Sequence, residues 1–197
     1  ALMLIDAYNF GATVITKSDL ITRDIDLYRQ ISEHSPVLCK MTVTTCDDEL
    51  CRKIEPNVSV SSERFNALAK LSEAGLKTGI TLMPVLPFIE DTKDNILGIV
   101  RTAYECGVKI IYPAFGMTLR QNQRDHYYQK LDGLFPGLSD KYRRYCGNSY
   151  ECVSPNAKRL WNAFAAECDR HGILYNMKDI IRFYKCGYEN MQLSFFD

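Results

Sequence analysis

"KTGITLMPVLPFIEDTKDNILGIVRTAYECGVKIIYPAFG", residues 77–116, sets one strand pattern on each side of a single amphipathic helix. The first, 77–87, carries Ile80, Thr81, Leu82 and Val85 and is stopped by Pro84 and Pro87, since proline has no N–H to give a sheet. Thr92 supplies a side-chain oxygen suited to capping a helix start. Ile96, Ile99, Val100, Ala103 and Tyr104 then recur at helical spacing, and Gly107 closes the run. Residues 108–116 resume as a strand. Two strands separated by a helix of this length are predicted to pair in parallel, because a parallel pair needs a long crossover.

The alternation extends upstream. Residues 12–17 (ATVITK) and 37–46 (VLCKMTVTTC) have the β-branched content of strands, and the second starts after Pro36. Between them a helix is expected from near Arg23, with Ile25, Tyr28 and Ile31 on one side. After the loop through EPNVSVSS, a second helix is expected with Ser61 or Ser62 as its cap. It carries Phe65, Leu68 and Leu71 and ends at Gly75. The expected fold class is therefore α/β with a parallel sheet, either doubly wound or a (β/α) barrel. Beyond Gly116 the pattern turns helical: Ser154, Pro155 and Gly172 frame one helix, and Asn176 opens another over 176–185. The chain divides into an α/β portion, 1–116, and a helical extension with a short terminal tail, 117–197.

Composition narrows the function classes. The 197 residues are 46% hydrophobic and 24% charged with formal net charge zero, so no global field draws the chain to nucleic acid or an anionic membrane. No apolar run is long enough to span a bilayer. The opening ALMLIDAYNFGA lacks the charged n-region of a signal peptide and reads as a helix entered partway. Eight cysteines are scattered without a CxxC, which predicts reduced core thiols in a cytoplasmic protein. Cys146 and Cys152 have the wrong spacing for a zinc knuckle. His34, His126 and His171 all fall on helix patterns, leaving no evident acid–base pair.

In parallel α/β folds, ligands bind at the carboxyl ends of the strands. Four stretches meet that condition: Lys17 after VIT, Thr42 to Asp47, MPVLP at 83–87 and YPAFG at 112–116. A lysine where a strand runs out is placed to hold a carboxylate or phosphate, or else is a solvated loop residue.

Four segments in order, ITKSDLITRDIDL, TVTTCDDELCRKIEP, ERFNALAKLSEAGLKTGITLMPVLPFIED and GVKIIYPAFG, resemble the second half of a radical S-adenosylmethionine (SAM) domain of the photoproduct-lyase-like subgroup. The resemblance covers residues 10–116, and the tail more loosely. It implies an incomplete (β/α) barrel in which Lys17 reaches the methionine carboxylate of SAM through a charge-assisted hydrogen bond. It sets Thr42 where the family has a serine whose hydroxyl contacts SAM. Glu55 and Arg64 match a Glu-Pro and a helix arginine that anchor each other or the cofactor. MPVLP matches the strand that flanks the adenine.

The resemblance also implies a [4Fe–4S] cluster on a CxxxCxxC loop, and this sequence has no such spacing. The family places that loop upstream of the segment matching residues 12–17. The chain is therefore expected to be a portion of a radical SAM enzyme, lacking cluster ligands and unable by itself to cleave SAM. The complete enzyme would form a 5′-deoxyadenosyl radical and abstract hydrogen from an unknown substrate, nucleic acid being one candidate.

The last residues, QLSFFD (192–197), resemble the Gln-Leu-Ser-Leu-Phe peptide that docks bacterial proteins on the DNA-polymerase sliding clamp, with Phe195 in place of leucine. Docking through Gln192 to Phe196, or packing of a terminal strand on the protein itself, are the two expectations for it. Arg120, Arg124, Arg143 and Arg144 form either a basic face or scattered solvated charge. The rival reading is a non-enzymatic DNA- or clamp-associated module on a barrel scaffold, and a third is a metal-independent barrel enzyme.

Overall fold

A computed structural model describes residues 1–188 (main chain alone at 121 and 122). Its elements in chain order are α1 (Leu2–Ala7), β1 (Ala12–Thr16), a 3-10 turn (Asp19–Asp24), α2 (Ile25–Ser32), β2 (Val37–Thr42), α3 (Asp48–Ile54), α4 (Ser61–Glu73) and β3 (Thr78–Leu82). Then follow α5 (Lys93–Glu105), β4 (Ile110–Pro113), β5 (Gly116–Thr118), α6 (Gln121–Leu134), α7 (Leu138–Cys146), β6 (Glu151–Val153), α8 (Ala157–His171) and α9 (Met177–Lys185).

The first four strands form one parallel sheet in the order β1-β2-β3-β4. The α/β expectation holds, and the strand ends at Lys17, Thr42, Met83 and Ala114 share one edge. One sheet face, through Cys39, Met41, Ile80, Leu82 and Ile111, packs on α2, α4, α5 and α8. Thr92 caps α5 as expected, its hydroxyl accepting from Asn95 N at 3.3 Å. Ile96, Ile99 and Val100 are fully buried, each contributing on the order of 1.5–3 kcal/mol.

α9 covers the lower part of the opposite face, setting Ile180 on Leu38 and Ile110, while Ile15 and Tyr112 on that face stay exposed. The chain reaches α9 by laying Leu174 beside β4: Ile111 N donates to Leu174 O at 2.9 Å and Leu174 N to Lys109 O at 2.8 Å. Gly172 ends α8 in a left-handed conformation, φ 65°, and turns the chain into that bridge.

Several local expectations change. Residues 48–54 form a helix because Asp47 accepts from Glu49 N at 2.8 Å and Leu50 N at 3.1 Å. Neither Ser61 nor Ser62 caps α4. Val60 holds the cap position with its N–H given to Glu63, and Ser62 is held by Asp48 at 2.9 Å and 2.5 Å. The helical extension is broken by an antiparallel pair, β5 with β6.

The reading of all eight cysteines as reduced thiols is also corrected. Cys146 and Cys152 are joined as a disulfide, with Cα atoms 5.3 Å apart, because β6 folds back on β5 directly after α7. No helix among the described residues is long and apolar enough to cross a membrane. The segment 192–196 lies outside the described residues.

Candidate functional site

At the strand ends the sequence builds a relay of alternating charge. Lys17, the first residue after β1, places Nζ 2.7 Å from Glu55 Oε1. Glu55, at the end of α3, turns its other oxygen to the Arg64 guanidinium at 2.6 Å. Arg64 is 1% exposed and has no water to satisfy its five N–H donors, so the main chain supplies acceptors. Arg64 Nε donates to Ser59 O at 2.7 Å and Nη1 to Thr42 O at 2.9 Å. All four residues singled out from the sequence thus meet in one network. Lys17 and Glu55 stand on a cavity wall, Arg64 lies behind them, and Thr42 joins through its carbonyl.

The cavity in front of this relay measures about 370 Å³ and is lined by Lys17, Thr44, Glu55, Pro84, Glu90 and Tyr127 among others. Glu90 is 1% exposed. It accepts from Thr44 Oγ1 at 2.6 Å and from Leu86 N at 2.8 Å. Burial pushes its pKa up to about 7 against the pull of those two hydrogen bonds; Glu55 adds to the rise and Lys17 opposes it. Asn95 ties the two loops behind it, its Nδ2 donating to Thr44 O at 2.8 Å and to Glu90 O at 2.9 Å.

Pro84 also walls a larger cavity of about 850 Å³, lined mainly by Met83, Phe115, Met117, Val153 and Trp161. The two spaces therefore adjoin across the end of β3, one polar and charged, the other apolar.

Sequence reasoning passed over Glu90, Thr44 and Tyr127. Thr44 shares the alternation of Thr42, so its stretch was marked but not the residue. Glu90 reads as a loop acid, and nothing local signals its burial. Tyr127 arrives from α6, far along the chain. Elsewhere, His34 binds Asp6 at 2.9 Å and His171 lies 3.6 Å from Glu167. Arg124 donates to the carbonyls of Leu119, Asn148 and Ser149, and Arg143 sits 4.4 Å over the Tyr128 ring. Among the described residues no three His, Cys, Asp or Glu side chains are grouped to hold a metal ion.

Solved structures share this fold. A spore photoproduct lyase variant with bound AdoMet and dinucleoside spore photoproduct superposes with a TM-score of 0.64 at 15% identity, over 89% of this chain and 54% of that one. The fold is radical SAM-like. A radical SAM methyltransferase from Kitasatospora setae, with tryptophan substrate and a SAM analog bound, gives 0.54 at 11% identity, over 90% and 40% of the two chains. No protein-family model matches the chain. An uncharacterized protein of Mycobacterium tuberculosis is 28% identical over 134 residues, 66% of this chain and 38% of that protein. The chain therefore spans well under half the length of that relative and about half of the lyase.

Proposed function

We propose that this chain is the SAM-binding portion of a radical SAM protein, with the cavity at Lys17 taking the methionyl end of SAM and the apolar cavity taking the adenine. The observation that carries this is the Lys17–Glu55–Arg64 relay at the open ends of a parallel sheet whose fold is radical SAM-like. The cavity volumes fall in the range of cofactor pockets, roughly 300–1,000 Å³.

Each residue then has a defined task. Lys17 gives its ammonium to the carboxylate of SAM, while Glu55, anchored by Arg64, aims that ammonium. Met83, Pro84 and Phe115 offer flat apolar walls to the purine and exclude water from it. Bound SAM, once reduced, supplies a carbon radical for hydrogen abstraction. The cluster that performs this reduction in such enzymes does not fit the cysteines here: Cys39, Cys51 and Cys168 are buried, Cys106 is half-buried, Cys46 and Cys186 are exposed, Cys146 and Cys152 are paired, and no three among the described residues are grouped. No step is assigned to it on these residues.

Trp161, the sole tryptophan, lines the apolar cavity and reports its filling. Titration with SAM is expected to change Trp161 emission and to give a saturable calorimetric isotherm. A binding module that uses the barrel only as scaffold would give neither, and that result would overturn the proposal.

A further inference from the structure

Lys40 stands in the middle of β2 on the face turned away from the helical core. It is in register with Ile15 on β1 and Gly79 on β3, and Gly79 with Ile110 on β4. A Cβ added at Gly79 would lie 3.2 Å from Lys40 Cγ and 3.2 Å from Ile110 Cβ. The glycine therefore leaves the space that the lysine stem occupies. α9 closes the face at this layer and below it, with Ile180 on Ile110 and on Leu38.

One layer up on the same face come Thr42, Thr81 and Tyr112 in register, with Lys17 following the end of β1 beside them. Lys40 is half-buried, and burial lowers its pKa with no charged neighbour contributing. Its ammonium has no ion-pair or hydrogen-bond partner among the described residues. Lys17, by contrast, is already matched by Glu55 at 2.7 Å. Lys40 is half-buried beside Ile15, itself 53% exposed, and Ile110, and its charge has no anion among the described residues to offset the cost of desolvation.

We propose that Lys40 is an oxyanion-binding residue, receiving a phosphate or carboxylate group of the substrate that approaches SAM along this sheet face. Naming that ligand as the substrate rests on the SAM reading above; the oxyanion site itself does not. Thr81 and Tyr112, whose hydroxyls rise from the same face one layer nearer the mouth, line the approach.

The test is calorimetric titration with inorganic phosphate and, separately, with acetate, using wild type, Lys40→Met, Lys40→Arg and Lys17→Met. Lys40→Met is expected to weaken oxyanion binding by roughly tenfold, the loss of one charged hydrogen bond, while SAM affinity and melting temperature hold. Lys40→Arg is expected to retain most of the binding. Whichever anion binds wild type more tightly identifies the group as phosphate-like or carboxylate-like. Equal anion affinity in wild type and Lys40→Met overturns the proposal, as does loss confined to Lys17→Met. A lowered melting temperature of Lys40→Met without any anion effect also overturns it, because Lys40 is then a structural residue. If phosphate binds through Lys40 and SAM does not bind at all, the oxyanion site stands and the SAM reading falls.

Discussion

Glu90 is a carboxylic acid that folding holds back from ionising, and the consequence reaches the stability of the whole chain. Its folded pKa of about 7 lies above the ordinary 4.5, so the folded state binds its proton more tightly than the unfolded one. Stability from this group is fully present below about pH 4.5 and is lost as pH rises through about 7, by on the order of 3 kcal/mol. Glu90→Gln keeps an acceptor for Leu86 N and can donate to Thr44 Oγ1. Its melting temperature is expected to change little between pH 5 and pH 8 while wild type falls; parallel curves for the two proteins would refute this. Lys17 behaves differently. Its pair with Glu55 is partly exposed, 38% on the lysine side, and such pairs contribute about 0–1 kcal/mol. Lys17→Met is therefore expected to melt near wild type yet bind SAM roughly ten- to a hundredfold more weakly, by the loss of one charged hydrogen bond. Unchanged SAM affinity in calorimetry would make Lys17 a solvated loop residue.

Arg64 acts between elements, joining α4 to the end of β2, the end of α3 and the loop at Ser59. Arg64→Leu leaves Thr42 O and Ser59 O without donors and Glu55 with Lys17 alone. Breaking a buried pair from one side costs about 3–5 kcal/mol, a large part of the roughly 5–15 kcal/mol of a typical domain. Urea denaturation is expected to show that loss, and a comparable one for Glu55→Gln, which leaves the buried guanidinium with its two carbonyls but no carboxylate. A midpoint for Arg64→Leu equal to wild type would mean that the arginine is not the joint it resembles. The disulfide is a second joint, between α7 and β6. Closing so short a loop contributes about 2 kcal/mol, so a reductant is expected to lower the melting temperature of wild type and leave Cys146→Ser unaffected. The same scale explains which elements could be read beforehand. α5 was legible because Ile96, Ile99, Val100 and Ala103 repeat a long pattern between Thr92 and Gly107. α3 was not, because seven residues rich in charge offer no apolar stripe and its cap, Asp47, reads as a turn. β5 and β6, three residues each, owe their pairing to each other across the intervening α6 and α7, which no local window contains.

For the whole molecule, the parallel sheet was legible because strand and helix patterns alternate with spacers too long for hairpins. Lys17 and Thr42 could be named in advance because each sits at a strand end, whereas Glu55 and Arg64 were named only through the resemblance, since neither lies on a strand. Glu90 could not: its burial comes from the apolar loop after β3 folding back on the threonines that follow β2, a contact between segments 46 residues apart that no local pattern shows. Leu174 and α9 could not be placed either, since their contact with β4 and β2 depends on a turn at Gly172 and not on their own pattern. All eight cysteines fall within the described residues, and their scatter permits a prediction for the molecule at large. Anaerobic reconstitution with iron and sulfide is expected to leave the chain without cluster absorbance, and a stoichiometric [4Fe–4S] signal would refute the assignment of these thiols.

The order β1-β2-β3-β4, with Leu174 added beside β4, repeats the order in which the strands are synthesised. No strand has to be inserted between two that are already paired. Each newly made β/α unit finds one waiting edge, and its own helix folds down onto apolar surface laid by the unit before. A chain leaving the ribosome at roughly 5–20 residues per second can thus assemble its sheet in the direction of translation, each strand pairing with the one made just before it. The late addition of α9, which seals Leu38 and Ile110, makes this helix the latch of the nascent stack.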